Sequence, residues 1–417
     1  MHRDTLLLIA ARGVRSVGQG ALVVDFSLYL HALGWSAGAI GAVLAGALAI
    51  GAGLTLLVGP MSDRIGRRRL IVFYEIVQAI AAAAAFASSD PGILVPAAIV
   101  GGFGRGANGA AGPFGPVEQA WLAHRVTAVD RGPVFSVNAA SGFFGMGLGA
   151  FLAMLPASLT HWLPGADAYR PLFLIVFVGS VLCLGLVLRV GDEPRRPAAR
   201  PHVAGGRSGP RSHRPDDAET RTENGLMLRV VLVNALNGIG MGLVGPLMAY
   251  WFELRFGEGP RPLGAMMAVG FLLSGVASMG VGRISRRLGL VKSVVVTRLA
   301  GLVLMIALPF SPTFGVAAAI YLLRALFNRG TAGPRQALYV SLVRPGRRGL
   351  VASLGNVSQQ IPRAIGPAIS GLMFDGGMFV LPYLIAAGFQ IAFLFAYDRS
   401  FRASDPVTAA LKDQGAD

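Results

Sequence analysis

The sequence predicts an all-α integral membrane protein of twelve transmembrane helices, built as two pseudo-symmetric six-helix bundles. Composition is the first reason. Of 417 residues, 53% are hydrophobic and 14% are charged, mean hydropathy is +0.59, and a soluble domain of that make-up would aggregate. The second reason is length: the chain divides into twelve apolar stretches, each close to the ~20 residues that a helix needs to cross about 30 Å of hydrocarbon. The third is duplication. A tight basic loop between two apolar runs, Gly59-Pro60-Met61-Ser62-Asp63-Arg64-Ile65-Gly66-Arg67-Arg68-Arg69, returns in degraded form as Gly282-Arg283-Ile284-Ser285-Arg286-Arg287-Leu288-Gly289, displaced by 223 residues.

The first span, 5–32, follows Met1-His2-Arg3-Asp4. Its apolar start is cut by Arg12 and Arg15 and no small-x-small cleavage site follows, so it reads as a retained span and not a removable signal. The next five spans are 37–58, 70–88, 93–117, 133–156 and 171–190. The second set is 227–252, 263–282, 291–309, 314–336, 350–373 and 380–397. Gly and Pro inside these spans are tolerated because neighbouring helices satisfy or approach the freed backbone. Between the sets, Gly191 to Gly225 carries Pro194, Pro197, Pro201, Pro210 and Pro215 among charged residues, too little apolar surface to offset the cost of ordering. The domains are therefore a first bundle at 1–190, a flexible linker at 191–226, a second bundle at 227–398 and a tail at 399–417.

Other segments repeat across the halves. Leu28 to Gly34 parallels Trp251 to Gly257, Gly109 to Pro113 parallels Gly330 to Pro334, and Arg131 to Ser136 parallels Arg348 to Ser353. Arg64, Arg67, Arg68, Arg69, Arg125, Arg131, Arg283, Arg286, Arg287, Arg344, Arg347 and Arg348 collect with the linker and tail on one side, leaving Arg170, Arg255 and Arg261 on the other. By the positive-inside rule both termini and the linker are cytoplasmic. Two like-oriented halves joined by a linker are the parallel-repeat arrangement of secondary transporters.

The net charge of +16 would suggest nucleic acid in a soluble protein. Here the arginines sit at span ends, where anionic lipid headgroups are the expected partners and nucleic acid is not. A single cysteine, Cys183, excludes a disulfide framework and a cysteine-based metal site within one chain. No Walker sequence occurs, and Lys292 and Lys412 are the only lysines, so ATP is not the direct energy source. Neither HExxH nor GxSxG is present; an enzyme, a cofactor and a metal site are all unexpected. Gly104-Arg105-Gly106-Ala107-Asn108-Gly109 matches Gly-x-Gly-x-x-Gly, but no strand precedes it and it is expected inside one apolar helix, serving close packing.

Over essentially its whole length the chain resembles the major facilitator superfamily, in particular its twelve-helix drug/proton antiporter-like branch. The loop signature Gly-x-x-x-Asp-Arg-x-Gly-Arg-Arg/Lys is met by Gly59, Asp63, Arg64, Gly66, Arg67 and Arg68, and a helix-four signature is approximated by Arg105, Asn108 and Gly109. The resemblance implies two bundles that rock around a central cavity lined by helices one, four, seven and ten. It places Arg105 and Arg324 across from each other on that pathway.

The loop makes physical sense as a latch: Asp63 is suited to accept hydrogen bonds from a helix N-terminus of the other half, and Glu118 is placed to pair with Arg64 or Arg67. Gly59, Asp63, Arg64, Gly66, Arg67 and Glu118 are the candidate cytoplasmic gate. In the second copy Arg286 stands where Asp63 does, so that half lacks the same carboxylate.

An ionisable group at the bilayer centre costs at least ~2.5 to 3.5 kcal/mol and is a functional hypothesis by default. Asp25 is the carboxylate well inside span one, suited to carry a proton or bind a cation. Arg105, Arg324 and Arg363 fall near mid-membrane, whereas Arg12, Arg15, Arg298 and Arg329 are expected to snorkel toward the cytoplasmic leaflet, and Glu75 to pair with loop arginines. With Asn108, Asn234 and Asn237 these residues make the candidate pathway basic and amide-rich, which favours a carboxylate or phosphate; abundant Phe, Met and Leu favour an amphipathic compound.

The favoured reading is a monomeric inner-membrane transporter, coupled to protons, that exports an amphipathic or anionic organic compound by alternating access. Helix five has Gly142, Gly145, Gly147 and Gly149 without the Gly-Pro ending usual in the family's antiporters, and Gly366-Pro367 occurs in helix eleven instead. That departure counts against antiport. The alternative is uptake or uniport of an anionic metabolite or lipid, and the competing class is a transporter-like receptor.

Overall fold

The computed structural model describes residues 3–105, 114–126, 131–191, 217–328, 332–344 and 347–405. The first half contains α1 (Arg3–Ala32), α2 (Ala37–Ile65), α3 (Arg67–Ala87), the pair α4 (Pro91–Gly101) and α5 (Phe114–Arg125), α6 (Arg131–Leu152) with the short α7 (Leu155–Leu159), and α8 (Pro171–Leu188). The second half repeats the plan: the pair α9 (Asp217–Val244) and α10 (Met248–Phe256), α11 (Pro260–Leu288), α12 (Leu290–Ala307), the pair α13 (Phe314–Asn328) and α14 (Ala332–Ser341), α15 (Arg348–Asp375) and α16 (Leu381–Phe401).

Among the described residues, nine stretches are long and apolar enough to cross a membrane. The other crossings are α4 with α5, α13 with α14, and α15, whose Asn356, Ser358, Gln359, Gln360 and Arg363 dilute its hydropathy. α4 ends at Gly101, ahead of the glycine-rich run expected inside one continuous fourth helix, of which residues 106–109 lie outside the described residues. Gly102 and Gly104 take φ of 68° and 72°, a left-handed conformation that interrupts a right-handed helix and that only glycine adopts freely.

Local chemistry sets several other boundaries. Ser36 caps α2 by accepting from the Ala39 amide at 3.2 Å, and Asp90 caps α4 through the Gly92 amide at 2.7 Å, each satisfying a donor that the first turn leaves open. The two copies of the basic loop each turn on a glycine of positive φ, Gly66 at 100° and Gly289 at 86°. α9 opens at Asp217, within the segment expected as linker. Glu223 ties that start down, accepting from the Arg344 amide at 2.8 Å and from Arg347 Nη1 at 2.9 Å.

One face gathers the chain ends. Arg125 at the end of α5 is ion-paired with Asp4 at the start of α1, and Asp405 beyond α16 accepts from the Val291 amide of α12 at 2.8 Å. The halves meet along α2 against α15 and α6 against α11. Their approach on the opposite side of the molecule is close: a methyl group at Gly41 would sit 2.2 Å from the Pro367 carbonyl oxygen, and one at Gly371 would sit 2.3 Å from that of Ala37. Facing outward are large apolar side chains such as Phe73, Ile80, Val303 and Phe395, the surface that a hydrocarbon solvent requires.

Candidate transport pathway and gates

The first half carries a buried, charge-balanced layer. Arg12 and Arg15 stand three positions apart on α1, on one helix face, and are only 4% and 3% exposed. Arg12 Nη1 donates to Glu118 Oε2 of α5 at 3.1 Å. Arg15 Nε lies 2.8 Å from Glu75 Oε1 of α3, its Nη2 donates to Gln78 Oε1 at 3.0 Å, and its guanidinium sits over the Tyr74 ring. These arginines therefore do not snorkel: carboxylates on neighbouring helices hold them inside, because burying either charge without a partner would be costly. Glu75 pairs with this intramembrane arginine in place of a loop arginine.

The second half has a layer at corresponding positions with different chemistry. Displacement by 221 to 223 residues relates Arg12 to Asn234, Arg15 to Asn237, Glu75 to Arg298 and Glu118 to Tyr339. The contacts are preserved while the charges are not: Arg298 Nη1 donates to Asn237 Oδ1 at 3.4 Å, and Tyr339 donates to Asn234 Oδ1 at 3.1 Å. Arg335 of α14 joins them, donating to Asn234 Oδ1 at 3.5 Å and Gln359 Oε1 at 3.4 Å. Gln390 of α16 donates to Asn237 Oδ1 at 3.3 Å.

The structure thus brings Asn234 and Asn237 into one network. Arg105 and Arg324 stay in their own halves. The Arg105 guanidinium turns back on the broken end of α4, donating to the carbonyls of Ile99 and Val100 at 3.3 and 3.4 Å, and packs against Gly51 of α2. Arg324 reaches the sulfur of Met305 at 3.5 Å, and electrostatic interaction links it to Arg298. Arg363 on α15 lies beside the α9–α10 break, near Gly245. Asn108 lies outside the described residues.

Asp25 is fully buried in α1, and neither of its carboxylate oxygens has a hydrogen-bond partner among the described residues. Glu253 of α10, in the other half, is within electrostatic reach of it, as is Tyr169. Glu253 escaped the sequence reading although its signal was there: a carboxylate in the stretch from Trp251 to Gly257 that repeats Leu28 to Gly34.

Of the candidate gate, Gly59 lies within α2, Gly66 makes the turn into α3, and Arg67 Nη1 donates to the Ala120 carbonyl at 3.4 Å. The side chains of Asp63 and Arg64 lie outside the described residues, and Glu118 is engaged by Arg12. A contact between the halves lies on the opposite face. The Asp375 carboxylate at the end of α15 accepts from the Ala37 and Gly38 amides at 2.7 and 2.8 Å, seizing the N-terminus of α2 where amides are open and the helix dipole is positive. His31 and Tyr250 bridge the halves nearby at 3.3 Å.

Two like halves with buried polar layers, closed against each other on one face, define a polytopic protein of secondary-transporter architecture. A family model described as Major Facilitator Superfamily matches residues 8–228 and again 230–414, and the chain belongs to that superfamily as a membrane transporter of its type. The chain is 20% identical over 412 residues to the uncharacterized membrane protein YJR124C of Saccharomyces cerevisiae, covering 93% of this chain and 92% of the relative. It is 26% identical over 238 residues, 57% of this chain and 55% of the relative, to the uncharacterized MFS-type transporter YceJ of Bacillus subtilis. Among solved structures, a D-xylose-proton symporter superposes with a TM-score of 0.71 at 16% identity, covering 95% of this chain and 97% of that one, a likeness of fold.

Proposed function

We propose that the protein is a proton-coupled exporter of an amphipathic or anionic organic compound, working by alternating access in the inner membrane with its termini cytoplasmic. The observation that carries this reading is Asp25, a fully buried carboxylate whose neighbour Glu253 belongs to the other half. When the halves rock, the charge near Asp25 changes, so taking up or releasing a proton is linked to which face is open. Closure of the opposite face by Asp375 leaves the terminal face as the side from which substrate enters.

The test uses purified protein in liposomes loaded with a pH-sensitive dye and challenged with amphipathic anions and cations. Substrate-dependent proton movement is expected in the native protein. In Asp25→Asn it is lost while substrate binding persists. Flux indifferent to an imposed pH gradient removes Asp25 as the proton carrier.

A further inference from the structure

We infer that the polar layer of the second half binds an oxyanion, the carboxylate or phosphate of an organic ligand, through Arg335 and Arg298. This deepens the transport reading above by naming the chemical group that the second half recognises, and it rests on that reading.

In the first half the buried arginines face carboxylates, Arg12 with Glu118 and Arg15 with Glu75, and the layer is neutral. At the matching positions of the second half the carboxylates have become Arg298 and Tyr339 and the arginines have become Asn237 and Asn234. Adding Arg335 gives two buried guanidiniums, 5% and 7% exposed, in one network of amides and a phenol. No Asp or Glu occurs from Gly259 to Phe374, so the helices that carry Arg298, Arg324 and Arg335 contribute no counter-charge of their own.

Of the carboxylates elsewhere in this half, Glu253 on α10 lies within electrostatic reach of Asp25 in the other half, and four others are engaged at its faces. Glu223 holds Arg344 and Arg347, Asp375 caps α2, Asp398 is paired with Arg402, and Asp405 caps α12. No carboxylate lies within 4.0 Å of Arg335 among the described residues, and its Nε has no hydrogen-bond partner there. Arg298 feels the charge of both Arg335 and Arg324.

Gathering like charges in a low-dielectric interior is unfavourable unless an anion joins them. Planar guanidiniums present paired donors that fit a carboxylate or phosphate. Asn234, Asn237 and Gln359 orient those donors, and the Tyr339 hydroxyl adds a further hydrogen-bonding group. Gln359, which accepts from Arg335, and Arg324, which acts electrostatically on Arg298, are half-buried.

The experiment is calorimetric titration of the full chain in neutral detergent with 4-phenylbutyrate, phenyl phosphate and phenyltrimethylammonium. Both anions bind and the cation does not. Arg335→Gln and Arg298→Gln each weaken anion binding by at least tenfold, Arg335→Lys by less, and Arg170→Gln on the opposite face leaves it unchanged. Competition with phosphatidylglycerol in mixed micelles separates a lipid headgroup, which displaces phenyl phosphate, from a soluble anion, which the lipid leaves bound; either result supports the oxyanion.

The inference is overturned if the cation binds as well as the anions, a comparison on the native protein that needs no variant to fold. It is overturned equally if the two glutamine variants keep native anion affinity. Flux of a cation with no anion binding would sink the inference and spare alternating access, whereas anion binding without flux of any compound would do the reverse.

Discussion

Replacing Asp375 with alanine should release the opposite face. Its carboxylate makes two charge-assisted hydrogen bonds to the first amides of α2, at 2.7 and 2.8 Å. Bonds of that kind contribute about 1.5 kcal/mol each at the low end, and the favourable helix-terminus charge adds ~0.3 to 1 kcal/mol. Partial exposure of the contact screens this sum, leaving about 1 to 2 kcal/mol. These bonds join the halves, so under the proposed alternating access the loss falls on the equilibrium between the two open states, and a shift of about 5- to 30-fold toward opening of the opposite face follows. The assay is electron-electron distance measurement between spin labels at Trp162→Cys, in the loop after α7, and Arg261→Cys, in the first turn of α11, on that face of the two halves. Cys183 is the only native cysteine and is buried, so labelling is clean. A longer-distance population should grow in Asp375→Ala, and less in Asp375→Asn, which retains one acceptor oxygen. An unchanged distance distribution in Asp375→Ala would refute the reasoning.

The remaining predictions concern packing and the buried layers. Glu118→Gln removes the carboxylate charge that faces the buried Arg12 guanidinium and should cost about 3 to 5 kcal/mol, whereas the paired change Arg12→Met with Glu118→Leu should cost far less; thermal unfolding in detergent orders the two. Gly41→Val places a side chain where a methyl already meets the Pro367 carbonyl at 2.2 Å, and should push α2 from α15 and lengthen the same spin-label distance without any change of charge. Asp25→Asn should abolish substrate-driven proton movement, and Arg335→Gln should weaken anion binding, in the liposome and calorimetric assays described above.

The architecture was legible because hydrocarbon imposes a length and a composition on every crossing, and because duplication writes the same loop twice. The breaks within crossings were less legible. A glycine run reads equally well as a packing surface and as a helix stop until φ at Gly102 and Gly104 is known. Ion-pair partners were the least legible. Arg12 and Glu118 are separated by 106 residues, and local spacing carries no information about which helices stand side by side. Only the pseudo-symmetry, once the halves are superposed by number, shows that Arg15 with Glu75 and Asn237 with Arg298 are one contact written in two chemistries.

The two copies of the basic loop are uneven in the same way, with Asp63 in one and Arg286 in the other. A transporter that grips itself equally hard on one face twice over would rest in one state, because each added bond between the halves deepens that state alone. Alternation needs opposed bonds of similar strength, one broken as the other forms. Asp375 supplies a carboxylate from the second half to the N-terminus of α2 on the opposite face. If Asp63 reaches a helix N-terminus of the second half on the terminal face, as the family resemblance implies, each half contributes one carboxylate and receives one. A second aspartate at position 286 would then bias the balance toward closure of the terminal face, and its replacement by arginine leaves the two latches matched.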